Sequence, residues 1–194
     1  PGPIKGCYDV SHFNIVVYGW GKSHVWEQLS LPLWFSRIKG EKVLVCFTGL
    51  GPLLVRKKIM TIHDLAFMAN PDWYSRPYRT WYRMMTPLCA STSMKILTVS
   101  EFSKSEIMRR LSMDDEKIRV IYNAVSSRFH ASESSRRNAG EVTGEKYILA
   151  VSSIDPRKNF SMLLKAFSLI EDKNIKLYIV GGQAHIYSTS IKEL

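Results

Sequence analysis

The sequence predicts an α/β protein that is built on parallel sheets and divided into two domains. Short apolar runs rich in Val and Ile alternate along the chain with segments of helical periodicity. Continuous apolar strands separated by helices are typical of parallel sheets that are covered on both faces. One polar stretch, 126–146, interrupts the alternation; it is rich in Ser and Arg and poor in strand formers. We therefore interpret it as a linker between two α/β domains.

Six short apolar runs, each bounded by polar or turn residues, are predicted to form buried strands. They are 42–47, 58–62, 95–99, 117–122, 147–151 and 175–180. The predicted organisation is thus an N-terminal domain over 1–125, a linker over 126–146, and the start of a second domain over 147–194. The last segment is too short to bury a core alone, so we expect the chain to be a piece of a longer protein.

Two predicted helices carry capping signals. Segment 102–111 is expected to be a helix with Ser103 as N-cap and Glu106 completing a capping box. Segment 159–170 is expected to begin at an Asn159 N-cap. Its apolar residues share one face at helical spacing; they are Phe160, Leu163, Leu164, Phe167 and Ile170.

Segment 74–89 predicts a third helix with two contrasting faces. Pro77 suits its first turn, and Pro87 is expected to kink or end it. The pattern fits a helix that packs on a core and turns its arginines to solvent. It also fits a surface that meets anionic lipid. The apolar face comprises Tyr74, Tyr78, Trp81, Tyr82, Met85 and Leu88, and the basic face comprises Arg76, Arg79 and Arg83.

The composition excludes several protein classes. With 45% hydrophobic and 23% charged residues, the chain is neither disordered nor collagen-like. It has no apolar run of the roughly 20 residues that cross a bilayer. Cys7, Cys46 and Cys89 are too widely spaced for a disulfide framework or a zinc site, so we expect no metal and a reducing, cytoplasmic setting. A net charge of +10 suits nucleic acid, an anionic membrane or a phosphorylated substrate.

Arg157 and Lys158 are the first candidate binding residues. They follow the loop that begins with Ser152 and Ser153, and they directly precede the helix predicted from Asn159. The free N–H groups and the dipole of a helix N-terminus favour an anion, and the two cations would add to that preference. The pattern therefore indicates either a phosphate site or a solvated basic loop.

His63 and Asp64 are the second candidate pair. They follow a predicted buried strand, at the end where open α/β sheets bind ligands. A histidine there could donate to a substrate hydroxyl or carry a proton. It could equally be a hydrogen-bonded structural residue, with Asp64 as a turn or N-cap residue.

Two nucleotide-binding motifs are excluded. Gly21-Lys22-Ser23 resembles the end of a P-loop, but Val16 stands where the first glycine is required. Gly181 and Gly182 follow a predicted strand without completing a dinucleotide-binding fingerprint.

Several segments, taken in order, resemble the family-4 retaining glycosyltransferases of GT-B fold. They are WEQL from Trp26, HDLAFMANPDWYS from His63, TVSEFSKSEI from Thr98, KIRVIYNAV from Lys117 and AVSSIDPRKNFSMLLKAF from Ala150. The resemblance extends from Trp26 to Gly182. It is strongest to bacterial mannosyl- and rhamnosyltransferases that build surface polysaccharide such as lipopolysaccharide.

The resemblance implies two Rossmann-like domains, of which only the first is largely present. The N-terminal domain would receive a saccharide or lipid-linked acceptor, and the C-terminal domain would bind a nucleoside-diphosphate sugar. Arg157 and Lys158 match the basic pair that grips the donor diphosphate, so no metal or other cofactor is expected. His63, with Asp64, matches the active-site histidine against the transferred sugar. Ser152, Ser153, Gly181 and Gly182 would form the donor-side loops.

The chain also departs from the family pattern. The N-terminal glycine-rich loop is not seen, Asn123-Ala124 replaces the usual Asn-Gly turn, and the two glutamates that hold the donor are expected beyond residue 194. We therefore expect truncation at both ends and an inactive fragment. Two alternatives remain at this stage: a nucleotide-sugar epimerase of the same fold, and a non-catalytic basic module for membrane or nucleic acid. The second is less favoured, because no nucleic-acid-binding motif is present.

Overall fold

The computed structural model describes residues 11–126 and 146–182, apart from the side chain of Pro156. The chain divides into two compact units. The first unit comprises Pro1–Leu65 and Trp81–Tyr122, and the second comprises Ala66–Thr80 and Asn123–Leu194. Residues 66–80 thus belong to the second unit, although the sequence predicts one N-terminal domain over 1–125. The predicted linker lies outside the described residues, except for residue 126 and residue 146 at its ends.

Four strands form the sheet of the first unit, which confirms the predicted α/β class. They lie side by side in chain order, and every pairing is parallel. A row of paired, buried residues crosses the sheet through Cys46, Met60, Ile96 and Ile118. Because parallel strands all end at one edge, the loops after them gather there. The strands are β1 (Leu44–Cys46), β2 (Lys58–Thr61), β3 (Lys95–Thr98) and β4 (Ile118–Val120).

Helices connect these strands. The helical stretch before β1 consists of α1, a π-helical segment and α2, while α3 and α4 separate β2 from β3, and α5 separates β3 from β4. Single 3₁₀ turns occur at Pro71–Trp73 and Asp115–Lys117. The helix bounds are α1 (Ser23–Val25), the π-helical segment (Trp26–Ser30), α2 (Leu31–Arg37), α3 (Ala66–Ala69), α4 (Arg76–Thr92) and α5 (Glu101–Leu111).

The N-cap of α5 corrects the sequence prediction. The cap is Ser100, whose backbone is extended and whose side-chain oxygen accepts the Ser103 N–H at 3.1 Å. Ser103 instead lies inside the helix, where it is buried. Glu106 completes no capping box and forms ion pairs with Arg109 and Arg110. Ser100 and Ser103 both suit the N-cap position. Ser100 is the cap because it lies shortly after the end of β3, where the helix begins.

Helix α4 continues through Pro87 to Thr92, so Pro87 does not end it. The interior of the helix is buried at Met85 and Cys89. Leu88, which the periodicity assigned to the apolar face, is 46% exposed. The described residues contain no helix that is both long and apolar enough to cross a membrane.

The second unit contains a two-stranded parallel sheet and one longer helix. Strands β5 (Tyr147–Val151) and β6 (Lys176–Val180) pair from Tyr147 opposite Lys176 to Val151 opposite Val180. Helix α6 (Phe160–Ser168) connects them, and its buried residue is Phe160. Both strands were predicted to be buried, but their residues are largely exposed. The described residues between the two strands form one α-helix, α6, which leaves most of both strands uncovered.

Three buried side chains of the first unit, Cys46, Cys89 and Lys58, have pKa values that burial shifts. Cys46 and Cys89 are free thiols, and burial raises the pKa of each to about 11. Lys58 has no exposed surface, and burial lowers its pKa. Its ammonium donates to the Val55 carbonyl at 2.9 Å and to the Thr92 hydroxyl at 2.7 Å. These bonds compensate for the loss of water around Lys58.

Replacement of Ser100 by Ala should reduce the free energy of unfolding by about 1 kcal/mol, because α5 would lose its side-chain cap. Urea denaturation of the complete protein measures the change. Ser105→Ala is the matched control, since Ser105 is exposed on the same helix and should cost less than about 0.5 kcal/mol. An equal effect of both substitutions would contradict the assignment of the cap to Ser100.

Candidate functional site

The loops after β5 and β6 lie side by side in the second unit. β5 leads into Ser152 and Ser153, and β6 leads into Gly181 and Gly182. The N–H of Ile154 donates to the Gly182 carbonyl at 3.0 Å. A Cβ added to Gly181 would lie 1.7 Å from the Ser152 carbonyl oxygen, so this close approach requires glycine. All four predicted loop residues therefore lie at the carboxyl edge of this sheet.

Asp155 organises the loop that follows β5. Its carboxylate has no exposed surface. One carboxylate oxygen accepts the Ser153 hydroxyl at 2.7 Å, and the other accepts the Arg157 backbone N–H at 3.0 Å. The same oxygen lies 3.4 Å from Nε of the Arg157 guanidinium. A buried carboxylate is stable only when it is hydrogen-bonded in this way.

Arg157 and Lys158 form the 3₁₀ turn Pro156–Lys158, directly before α6. Lys158 is exposed, whereas the Arg157 side chain is 24% exposed. Asn159 is the N-cap of α6, as predicted, but it has φ of +50° and makes no side-chain cap bond. The two cations thus precede a helix N-terminus, where an anion is favoured electrostatically.

Tyr74 contacts Arg157 from a distant part of the sequence. Nη1 of Arg157 donates to the Tyr74 hydroxyl at 3.2 Å, and the guanidinium carbon lies 6.0 Å from the ring centroid. Tyr74 is buried and stacks on Tyr78, with 5.3 Å between the centroids. From the sequence, Tyr74 is predicted only to lie on the apolar face of the helix over 74–89. Residues 83 positions apart leave no local pattern from which to predict this contact.

His63 and Asp64 follow β2 in the first unit, and both side chains are exposed. Nε2 of His63 lies 3.1 Å from the Phe47 carbonyl oxygen. Since a carbonyl oxygen only accepts, the ring donates from Nε2, and in neutral histidine Nδ1 is then the accepting nitrogen. The Ser103 hydroxyl donates to the His63 carbonyl at 2.9 Å and fixes the backbone at this position.

A cavity of about 560 Å³ opens beside the end of β1. Phe47, whose carbonyl contacts His63, lines it, whereas His63 itself is not a lining residue. The lining combines aromatic rings, a carboxylate and hydroxyl groups, which is chemistry that suits a saccharide. The lining residues are Ser23, His24, Trp26, Glu27, Leu31, Leu44, Val45, Cys46, Phe47, Thr48, Gly49 and Tyr82.

Glu27 and His24 line the cavity, and the sequence alone does not predict a binding role for either side chain. Glu27 accepts the Gly51 N–H at 2.7 Å, and its second oxygen lies 3.5 Å from Nδ1 of His24. The His24 ring lies 5.1 Å from the Trp81 ring and 5.5 Å from the Tyr82 ring. Only the WEQL resemblance pointed to this segment. It gave no sign that Glu27 anchors the loop after β1.

No group of three or more potential metal-ligating side chains occurs within residues 11–126 and 146–182.

Two family models match the chain. One, described as Glycosyltransferase Family 4, matches residues 42–129. The other, described as Glycosyl transferases group 1, matches residues 131–193.

Curated relatives agree with these matches. The chain is 29% identical to an O-antigen chain mannosyltransferase of Salmonella typhimurium over 80% of this chain and 40% of the relative. It is 24% identical to O-antigen chain mannosyltransferase B of Escherichia coli over 61% of this chain and 32% of the relative. It is 29% identical to an uncharacterized glycosyltransferase of Methanocaldococcus jannaschii over 50% of this chain and 27% of the relative. The chain therefore spans less than half the length of these relatives.

Gly181→Ala should destabilise the second unit by about 2 kcal/mol, because the added methyl group would meet the Ser152 carbonyl and force the paired loops apart. Urea denaturation measures the effect. Gly182→Ala is the neighbouring control, since a Cβ there has no described atom within 4 Å. Equal stability of the two variants would show that the loops do not approach as closely as described.

Proposed function

Because the chain belongs to the family-4 glycosyltransferases of GT-B fold, we propose that the complete protein transfers a hexose from a nucleoside-diphosphate sugar to a saccharide or lipid-linked acceptor, with retention. Two of its relatives are O-antigen mannosyltransferases, which supports mannose as the sugar and surface polysaccharide as the product. The observation that carries the proposal is the loop ordered by Asp155, with Arg157 and Lys158 directly before α6.

Arg157 and Lys158 are proposed to bind the donor diphosphate. In the reaction the bond between the anomeric carbon and the diphosphate oxygen breaks, and the nucleoside diphosphate leaves with that electron pair. The two cations and the N-terminus of α6 would stabilise the negative charge that develops on the leaving oxygen. The acceptor hydroxyl would form the new bond on the same face, and its proton would pass to the departing diphosphate.

The cavity beside β1 is proposed to hold the acceptor. Its Glu27 carboxylate can accept sugar hydroxyls, and the Tyr82 ring can pack against a sugar face. His63, whose ring contacts the carbonyl of the cavity residue Phe47, is proposed to contact the transferred sugar. Its Nε2 is engaged by the Phe47 carbonyl, so Nδ1 is the ring nitrogen suited to a sugar hydroxyl.

The double variant Arg157→Ala/Lys158→Ala should lower kcat/KM for the donor by about 10²- to 10³-fold, because it removes charge stabilisation from the leaving group. The assay compares GDP-, UDP- and dTDP-hexoses with a lipid-linked acceptor in the complete protein, and NMR of the product determines the anomeric configuration. Lys165→Ala/Lys173→Ala, two exposed cations of the same unit, is the charge-matched control. Unchanged turnover in the first variant would refute the assignment of the diphosphate site, and an inverted product would refute retention.

Helix α4 is proposed to bring the protein to an anionic membrane surface. Arg76 and Arg83 are exposed on it, two helical turns apart. Met84 is 53% exposed and Leu88 is 46% exposed. This exposed mixture of cations and apolar side chains suits the interface of a charged bilayer. Arg79 contributes less, since it pairs with Asp72 at 3.3 Å.

Arg76→Gln/Arg83→Gln should weaken binding to vesicles of phosphatidylglycerol and phosphatidylcholine by about 30-fold, given about 1 kcal/mol for each cation near the surface. Co-sedimentation at low salt measures the partition coefficient. Lys165→Gln/Lys173→Gln lowers the net charge equally and should leave binding nearly unchanged. Equal losses in both variants would indicate attraction to the overall charge and contradict a role of α4.

A further inference from the structure

The arginine that precedes α6 contacts two side chains: Asp155, which orders the loop, and Tyr74, to which no function has been assigned so far. Asp155 lies 3.4 Å from Nε of Arg157, and Tyr74 accepts a hydrogen bond from Nη1 at 3.2 Å. All three residues belong to the second unit. A free arginine side chain samples many rotamers, and binding a ligand must restrict them. Two contacts at different nitrogens of one planar group remove most of this freedom in advance.

The Tyr74 contact is rigid because Tyr74 itself is fixed. Its side chain is buried, and its ring is nearly parallel to the Tyr78 ring, with an interplanar angle of 12°. The backbone at Tyr74 is extended and follows the 3₁₀ turn Pro71–Trp73, which its own N–H closes by donating to the Pro71 carbonyl at 3.2 Å. The hydroxyl therefore has a defined position against which the Arg157 guanidinium can be oriented.

Asp155 acts differently from Tyr74, since it fixes both the backbone and the side chain of Arg157. Its carboxylate binds the Arg157 N–H and the guanidinium through the same oxygen. Removing its charge would disturb the whole turn. Tyr74 contacts the guanidinium, so a change there should alter the orientation of the side chain and leave the turn intact.

We propose that Tyr74, supported by Asp155, is a positioning residue that orients the Arg157 guanidinium toward the donor diphosphate; this role rests on the proposed function above. Tyr74 does not contact the reacting atoms. It lowers the cost of ordering Arg157 when the donor binds, which is the general benefit of preorganisation. Its loss should therefore weaken donor binding and leave acceptor binding unchanged.

Tyr74→Phe in the complete protein tests this role, because phenylalanine keeps the ring and the stack on Tyr78 and removes only the hydroxyl. We expect donor KM and the Kd of the nucleoside diphosphate to rise about tenfold, as for loss of a hydrogen bond to a charged group. Acceptor KM should stay unchanged, and the melting temperature should fall by no more than a few degrees, about as expected for loss of one hydrogen bond. Calorimetry with GDP, UDP and dTDP measures the Kd. Tyr122→Phe, at a tyrosine that is 67% exposed, is the matched control.

A double-mutant cycle separates failure of this inference from failure of the proposed function. In an Arg157→Ala background, Tyr74→Phe should have no further effect on the Kd. One outcome is that the wild type and Tyr74→Phe bind a nucleoside diphosphate equally well, whereas Arg157→Ala does not bind it. That outcome overturns the positioning role of Tyr74 and leaves the donor site supported. If the wild type binds none of the three nucleotides, both proposals fall. Equal effects of Tyr74→Phe in the two backgrounds would also overturn the role.

Discussion

The buried carboxylate of Asp155 constrains the chain that follows β5 in the second unit. A carboxylate without solvent contact must find donors, and Asp155 obtains them from Ser153, from the Arg157 backbone and from the Arg157 guanidinium. These bonds force the chain after β5 into a tight 3₁₀ turn and bring both cations to the start of α6. The left-handed backbone of Asn159 completes the change of direction. The position of the basic pair is thus a consequence of satisfying one buried charge.

In the first unit, the side chains of Glu27 and Gln28 likewise accept hydrogen bonds that fix a loop. The loop after β1 turns through Gly49 and Gly51, both at positive φ, and its N–H groups need acceptors. Glu27 accepts from Gly51 at 2.7 Å, and Gln28 accepts from Leu53 at 2.9 Å. The segment before β1 therefore fixes the path of the loop after it. The Phe47 carbonyl, at the start of this loop, is in turn the partner of His63.

The sequence predicted the positions of the strands well, because each is a short apolar run bounded by polar or turn residues. The local sequence pattern predicted the wrong N-cap where two serines satisfied the same capping preference. Ser100 and Ser103 are both acceptable caps, and only the end of β3 decides between them. The burial of β5 and β6 was predicted wrongly because the cover of a sheet comes from other segments. Similarly, the contact of Tyr74 with Arg157 and the bond of Glu27 with the Gly51 N–H depend on tertiary packing, which periodicity does not encode.

The ion pair with Asp155 reduces the charge that Arg157 offers a diphosphate, but it does not remove the positive charge of the loop. Asp155, Arg157 and Lys158 together still carry a net charge of +1, and the N-terminus of α6 adds roughly half a positive charge. In the proposed reaction the leaving group gains negative charge only as the anomeric bond breaks. Oriented N–H groups stabilise that charge without having to move, and this preorganisation matters more than the total charge. Pairing with Asp155 thus lowers the net positive charge of the loop and fixes the orientation of the Arg157 guanidinium. A fixed orientation is the property that the transition state requires.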